Sequence, residues 1–156
     1  MPRITPFLWF DNQAEEAINF YVSIFKDSKV LEVSRYSEAE TGQPGGVVTG
    51  RFQLAGQEFM ALNGGPQFKF TEAISMFVSC ETQEEVDYYY NNLLDGGEEQ
   101  MCGWLKDRYG LSWQIIPTAL GELLGDSDPD KAGRAMQAML QMKKIDIAKL
   151  RQAHAG

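Results

Sequence analysis

This chain has one histidine, His154, close to its C-terminal end. A triad of two histidines and one carboxylate, as used by non-haem iron enzymes, therefore cannot be built within one chain. Cysteine is almost as scarce. Cys80 and Cys102 have no metal-ligand spacing, and without a secretory pattern they read as reduced thiols. Basic residues are outnumbered, 14 against 22 acidic ones, for a net charge of −8. Such a chain repels phosphates, so no nucleic acid partner is expected. There is no signal-peptide pattern and no long apolar run. A soluble, cytoplasmic protein without a membrane partner is expected.

What is present looks globular, with 44% apolar and 23% charged residues in 156. The length fits a single domain, 1–156, large enough to bury a core without disulfide or metal staples. The middle of the chain repeats its beginning. Asn12–Phe25 reads NQAEEAINFYVSIF and Thr82–Leu94 reads TQEEVDYYYNNLL. A shift of 69 lays Glu16 on Glu85, Phe20 on Tyr89, Tyr21 on Tyr90 and Phe25 on Leu94. Further on, a shift of 54 lays Gly56 on Gly110, Phe59 on Trp113 and Leu62 on Ile116. Repeat one spans 1–64, repeat two 72–118, and a tail 119–156 has no counterpart. Two copies of one unit predict a cleft formed from both halves, where a small ligand would bind.

Each repeat reads as strand, helix and further strands. Ile4–Phe10 is a short apolar strand. Asn12 with Glu15 has the capping-box pattern for a helix running to about Phe25. Lys29–Tyr36, Val47–Leu54 and Glu58–Asn63 alternate as strands, the last two turning at Ala55-Gly56. Gly64–Phe70 (GGPQFKF) links the halves and could cover the cleft. In repeat two, Ala73–Cys80 is a strand and Thr82 with Glu85 is again a capping-box pattern. Gly96-Gly97 ends that helix. Cys102–Lys106 and Ser112–Pro117 form a hairpin around Asp107–Gly110. In the tail, Ala119–Leu124 is a short helix and Asp128-Pro129 opens another over Ala132–Met142, with Ala135, Met136, Met139 and Leu140 on its apolar face. Asp146 caps a last helix. The tail reads as packing or dimerisation material.

This twice-occurring βαβββ unit resembles the vicinal oxygen chelate superfamily, which includes glyoxalase I, extradiol dioxygenases, fosfomycin-resistance enzymes and bleomycin-binding proteins. Ile4–Phe25, Phe59–Cys80 and Gly103–Pro117 are most similar to its PhnB-like branch, often labelled 3-demethylubiquinone-9 3-methyltransferase. The Asp128–Leu150 segment also resembles that branch. The resemblance implies an α+β fold: two βαβββ repeats forming curved sheets around a cleft, plus C-terminal helices. It also implies a homodimer, since superfamily members commonly pair their sheets.

Metal-dependent members place one His or Glu on each of four strands. Those positions fall near Thr5, Met60, Ser75 and Gln114 here, which are poor ligands. Metal-dependent glyoxalase or dioxygenase chemistry is therefore not expected, and no cofactor is assigned. The methyltransferase label finds no support either. The pairs Gly45-Gly46, Gly64-Gly65 and Gly96-Gly97 do not open a helix after a strand, as a Rossmann-type cofactor site requires.

Strand alternation extends the set to Phe7, Trp9, Leu62, Phe77, Cys102, Trp104 and Lys106, with Ser112 and Ile116 beside Gln114. Trp9 and Trp104 fit either a pocket lining or a plain core. Trp113 alternates to the opposite face, toward a helix. Lys106 could lower the pKa of the Cys102 thiol, but a buried inert thiol is the simpler reading. Asp107 and Arg108 shape the turn or face solvent. Three functions remain open: a metal-free binder of a small apolar or aromatic molecule, an enzyme (isomerase, lyase or transferase) using the same cleft, and an interaction protein with a vestigial cleft.

Overall fold

A computed structural model describes all residues, 1–156. The chain divides into two compact units, Met1–Phe70 and Thr71–Gly156.

The first unit contains β1 (Phe7–Phe10), α1 (Ala14–Ile24), β2 (Lys29–Tyr36), the single turn α2 (Glu38–Thr41), β3 (Val47–Leu54) and β4 (Gln57–Asn63). Its sheet order is β1-β4-β3-β2. β1 runs parallel to β4, and the other pairs are antiparallel. Period-two alternation sends Leu8, Phe10, Phe52, Leu54, Phe59 and Ala61 to one buried face. The apolar stripe of α1 (Ala17, Ile18, Tyr21, Ile24) is buried with them. Tyr21 stacks on Phe52, and Phe52 on Phe59, with centroids 6.5 and 5.5 Å apart. A Cβ on Gly50 would lie 2.5 Å from Ile18 Cδ1, so the missing side chain lets α1 approach β3.

The second unit contains β5 (Ser75–Cys80), α3 (Gln83–Leu94), β6 (Glu98–Glu99), β7 (Trp104–Lys106) and β8 (Ser112–Pro117). Its sheet order is β5-β8-β7-β6, again with one parallel pair, β5 and β8. Val86, Tyr90 and Leu93 of α3 are buried with Leu105, Trp113 and Ile115 of the sheet. Three helices follow: α4 (Thr118–Leu124), α5 (Pro129–Met139) and α6 (Ile147–Ala155). They share a core of Leu120, Leu123, Ala135, Ile145 and Leu150, which Ile116 of β8 joins. Cys102 and Gly103 donate backbone bonds of 2.7 Å to the carbonyls of Met142 and Lys143, tying this tail to the start of β7.

The α+β class and the doubled unit follow the sequence, but four local readings are corrected. β1 begins at Phe7, so Ile4 and Thr5 precede the strand. Asn12 does not cap α1. The N-cap is Gln13, which makes no side-chain cap bond, and Asn63 Oδ1 accepts from Ala14 N at 2.7 Å instead. Cys102 is not on a strand: it sits before β7 at φ 62°, followed by Gly103 at φ 85°. Two left-handed residues break the alternation expected from Cys102 to Trp104. Finally, α5 starts at Pro129 and ends at Met139. Ala135 is buried and Met139 half-buried, while Met136 and Leu140 remain exposed. Thr82, Asp128 and Asp146 cap α3, α5 and α6 as the sequence indicates.

Candidate functional site

In each unit one sheet face is buried with a helix and the opposite face carries the residues singled out from sequence. On the second sheet, register aligns Phe77 (β5), Gln114 (β8) and Trp104 (β7) in one row. The next row is Ser75, Ser112 and Lys106. Paired residues point to the same side of a sheet, so these six share a face. Their alternates, Trp113 and Leu105, are buried on the α3 side, as expected for Trp113.

The polar groups of this face are organised. Gln114 Nε2 donates to Ser75 Oγ at 2.9 Å. Lys106 Nζ pairs with Glu72 Oε1 at 2.9 Å. The bond to Lys106 lowers the Glu72 carboxyl pKa, and the bond to Glu72 raises that of the Lys106 ammonium. Glu98 lies opposite Lys106 in register and adds a further raising influence. Ser112 is fully buried and its hydroxyl has no hydrogen-bond partner. Trp104 is half-buried, and Phe77 is 60% exposed. Ile116, which shares the alternation, is taken up by the tail core.

On the first sheet the rows are Phe7, Met60, Arg51 and Glu32, then Trp9, Leu62, Thr49 and Ser34. Arg51 donates to Glu32 at 3.1 Å and to Glu58 at 3.0 Å, and both bonds raise its pKa. A cavity of about 190 Å³ on this sheet is lined by Glu32, Ser34, Tyr36, Thr49, Gly50, Arg51 and Met60. Trp9 is pinned by the segment after β4. Its Nε1 donates to the Gly65 carbonyl at 2.9 Å, Phe68 meets its ring edge-on at 4.9 Å, and a Cβ on Gly64 would overlap the indole. Thr5 is half-buried and lies ahead of β1.

Phe7, Trp9, Met60 and Leu62 thus come together on one sheet, and Ser75, Phe77, Trp104, Lys106 and Gln114 on the other. Thr5 and Cys102 lie outside the strands. Sequence reasoning missed Arg51 and Glu32, whereas Glu58 and Glu72 read from sequence as carboxylates able to act as a base only if buried near substrate. Extending the alternation to Arg51 on β3 and Glu32 on β2 would have found those two. Asp107 does not face solvent. It is buried and accepts from Tyr109 N, Leu111 N and Trp113 Nε1 at 2.8, 3.1 and 2.9 Å, closing the β7–β8 turn. Cys80 is fully buried, and desolvation, reinforced by Glu85, pushes its thiol up to about 11.

The residues present do not fit a catalytic metal. Met60, Ser75 and Gln114 are poor donors, and no group of three or more His, Cys, Asp or Glu is placed to hold an ion. His154 Nε2 lies 2.8 Å from Asp126 on the tail. Nor do they fit a Rossmann-type methyl-donor site. The junctions from β1 to α1 (Asp11–Gln13) and from β5 to α3 (Glu81, Thr82) contain no glycine. A depression of about 670 Å³ between Pro129, Arg134, Ala153 and Gly156 includes none of the sequence-predicted residues.

The sequence pattern of the family described as 3-demethylubiquinone-9 3-methyltransferase matches residues 2–116. That match stops before the tail, so it does not extend to the Asp128–Leu150 resemblance. A PhnB protein from Bacillus cereus bearing the same methyltransferase name is 41% identical, with TM-score 0.69, over 75% of this chain and 100% of its own. A protein from Pseudomonas aeruginosa matches at 18% identity and TM-score 0.59, over 75% of this chain and 98% of its own. The fosfomycin resistance protein FosX from Listeria monocytogenes matches at 16% identity and TM-score 0.58, over 80% and 98%. These last two show a shared fold. No match was found among curated proteins.

Proposed function

Given that the chain belongs to the family described as 3-demethylubiquinone-9 3-methyltransferase, a PhnB-like branch of the vicinal oxygen chelate superfamily, we propose that it binds a small apolar or aromatic molecule without a metal. The observation that carries this reading is the row Phe77, Gln114 and Trp104 on the second sheet. It sets an amide between two aromatic side chains on the face away from α3. Ring faces supply apolar, sequence-tolerant contact area. The Gln114 amide both donates and accepts, and its bond to Ser75 fixes its orientation, which suits a ligand carbonyl or hydroxyl.

A ligand that binds only the native state raises stability, by about 2.7 kcal/mol at a hundredfold excess over Kd. Screening the protein against aromatic metabolites by thermal shift should therefore give reproducible hits. Trp104→Ala and Gln114→Ala should each weaken those hits more than they lower the ligand-free Tm. Absence of any hit, or hits indifferent to both substitutions, would remove this reading.

The polar pair Gln114–Ser75 and the nearby Lys106 also suit an enzyme of the isomerase, lyase or transferase class acting on the same ligand. Mass spectrometry of a hit incubated with the protein decides between the two: an unchanged compound supports the binder.

A further inference from the structure

We infer that the ligand of the second sheet carries a carboxylate, that Lys106 receives it, and that Glu72 holds its place until it arrives. The inference rests on the binder reading above and adds the chemical class of the ligand. Lys106 lies next to the Phe77–Gln114–Trp104 row, one row along the same face. Its ammonium is engaged at 2.9 Å by a carboxylate from outside the sheet, on the segment that enters β5. Glu72 is 52% exposed and Lys106 28% exposed. An ion pair so open to water contributes little net stability, so exchanging its carboxylate for another costs little. A ligand carboxylate would make the same charge-assisted bond and add the contact of its body with Trp104 and Phe77. The displaced Glu72 stays tethered nearby, so together with Glu98 opposite Lys106 it opposes the charge of the incoming carboxylate.

Ser112 gives independent support. It sits between Ser75 and Lys106 in register, on the strand flanked by β5 and β7. Its hydroxyl is fully buried without a partner. A buried unpaired hydroxyl is a cost that alanine would avoid. A ligand oxygen held at Lys106 would sit in that row, and the buried hydroxyl would donate to it once ligand entry uncovers it.

Three probes of one shape separate charge from shape: 2-naphthoate, 2-naphthamide and 2-naphthylmethylammonium, titrated by calorimetry. The wild-type chain should bind the carboxylate about tenfold tighter than the amide, and the ammonium most weakly. Lys106→Gln should bring carboxylate and amide within about twofold of each other. Glu72→Gln should tighten naphthoate about threefold, by removing its competitor, and leave naphthamide unchanged. Ser112→Ala should raise the Tm and weaken naphthoate about threefold. Equal binding of acid and amide by the wild type, or a preference that survives Lys106→Gln, overturns the carboxylate proposal and leaves the binder reading standing. Naphthoate affinity unchanged by Glu72→Gln removes Glu72 from its role, and affinity unchanged by Ser112→Ala removes Ser112 from the site. Failure of all three probes to bind the wild type takes both readings down.

Discussion

Across the parallel pair of the first sheet, Phe7 faces Met60; across that of the second, Phe77 faces Gln114. The two positions correspond in the repeat, yet one is a thioether and the other an amide. The neighbouring polar groups diverge as well. The first sheet holds a guanidinium between two carboxylates, Glu32 and Glu58. The second holds one ammonium bound to Glu72. By contrast, the helix-facing sides of both sheets are alike: Phe52, Phe59 and Ala61 in one, Leu105, Trp113 and Ile115 in the other. Burial against a helix requires apolar side chains of fitting volume. The opposite face is less uniformly buried: on the second sheet Ile116 joins the tail core and Ser112 is buried, while Phe77 is exposed, so its side chains vary more.

The hairpins extend the contrast and offer the largest test. The β3–β4 turn closes with two left-handed residues, Ala55 at φ 48° and Gly56 at φ 82°. The β7–β8 turn is held by a buried carboxylate with three donors. Asp107→Ala strips those bonds and leaves buried N–H groups unpaired, so it should cost about 2–4 kcal/mol in urea unfolding. Ala55→Gly relieves the strained φ and should leave stability unchanged or raise it by up to about 1 kcal/mol. Equal effects at the two turns would mean that Asp107 is not what holds the second.

The exits of the two repeats differ too. After β4 the chain passes over Trp9, with Gly64 against the indole. After β8, the corresponding Thr118 begins α4 and is exposed. Gly64→Ala should therefore displace the Trp9 ring, cost about 1–3 kcal/mol and shift tryptophan emission to the red. Thr118→Ala should stay within about 0.5 kcal/mol of wild type. An unshifted emission for Gly64→Ala would show that the indole is not held by this segment.

Helix capping separates the repeats at a smaller scale. Thr82 caps α3 from the adjacent residue, accepting from Glu85 N at 3.2 Å. Asn63 supplies α1 from the end of β4, 49 positions along the chain. Alanine at either position should cost about 1 kcal/mol. Asn63→Asp should keep that stability, because a carboxylate at a helix N-terminus accepts the same bond and suits the dipole. A loss for Asn63→Asp equal to that for Asn63→Ala would count against the capping role.

These contrasts also mark what was readable in advance. β2 and β3 appeared at their observed bounds because each alternates over eight residues between turn signals. The rows containing Trp104, Lys106, Gln114 and Phe77 followed from the same period. The Asn63 cap did not, because its donor and acceptor are brought together only by the pairing of β1 with β4. Asn12 had the local pattern for a cap, and a tertiary contact took the role instead. Cys102 was misplaced because a left-handed residue before Gly103 leaves no mark in hydrophobic alternation. Asp107 read as a turn residue, and nothing local announced the indole of Trp113 as its partner.

The smallest expected effect is the response to acid, and it belongs to the second unit. Glu72, Asp87 and Asp126 all have carboxyls held below their ordinary range. The main causes are the Lys106 bond for Glu72, the Gln83 bond for Asp87, and the Asp128 backbone bond, then His154, for Asp126. In each case the unfolded chain takes up its proton at a higher pH than the folded one. Between those two values the unfolded state binds more protons, so stability falls as pH drops. The stabilisation is complete above the unfolded carboxyl range of about 4 and is lost below it. These groups are open to solvent, so the slope should be shallow. Tm measured from pH 6 to 3 should decline gradually, and Asp126→Asn should flatten part of that decline. A Tm that rises on acidification, or an Asp126→Asn profile parallel to wild type, would place the acid response elsewhere in the chain.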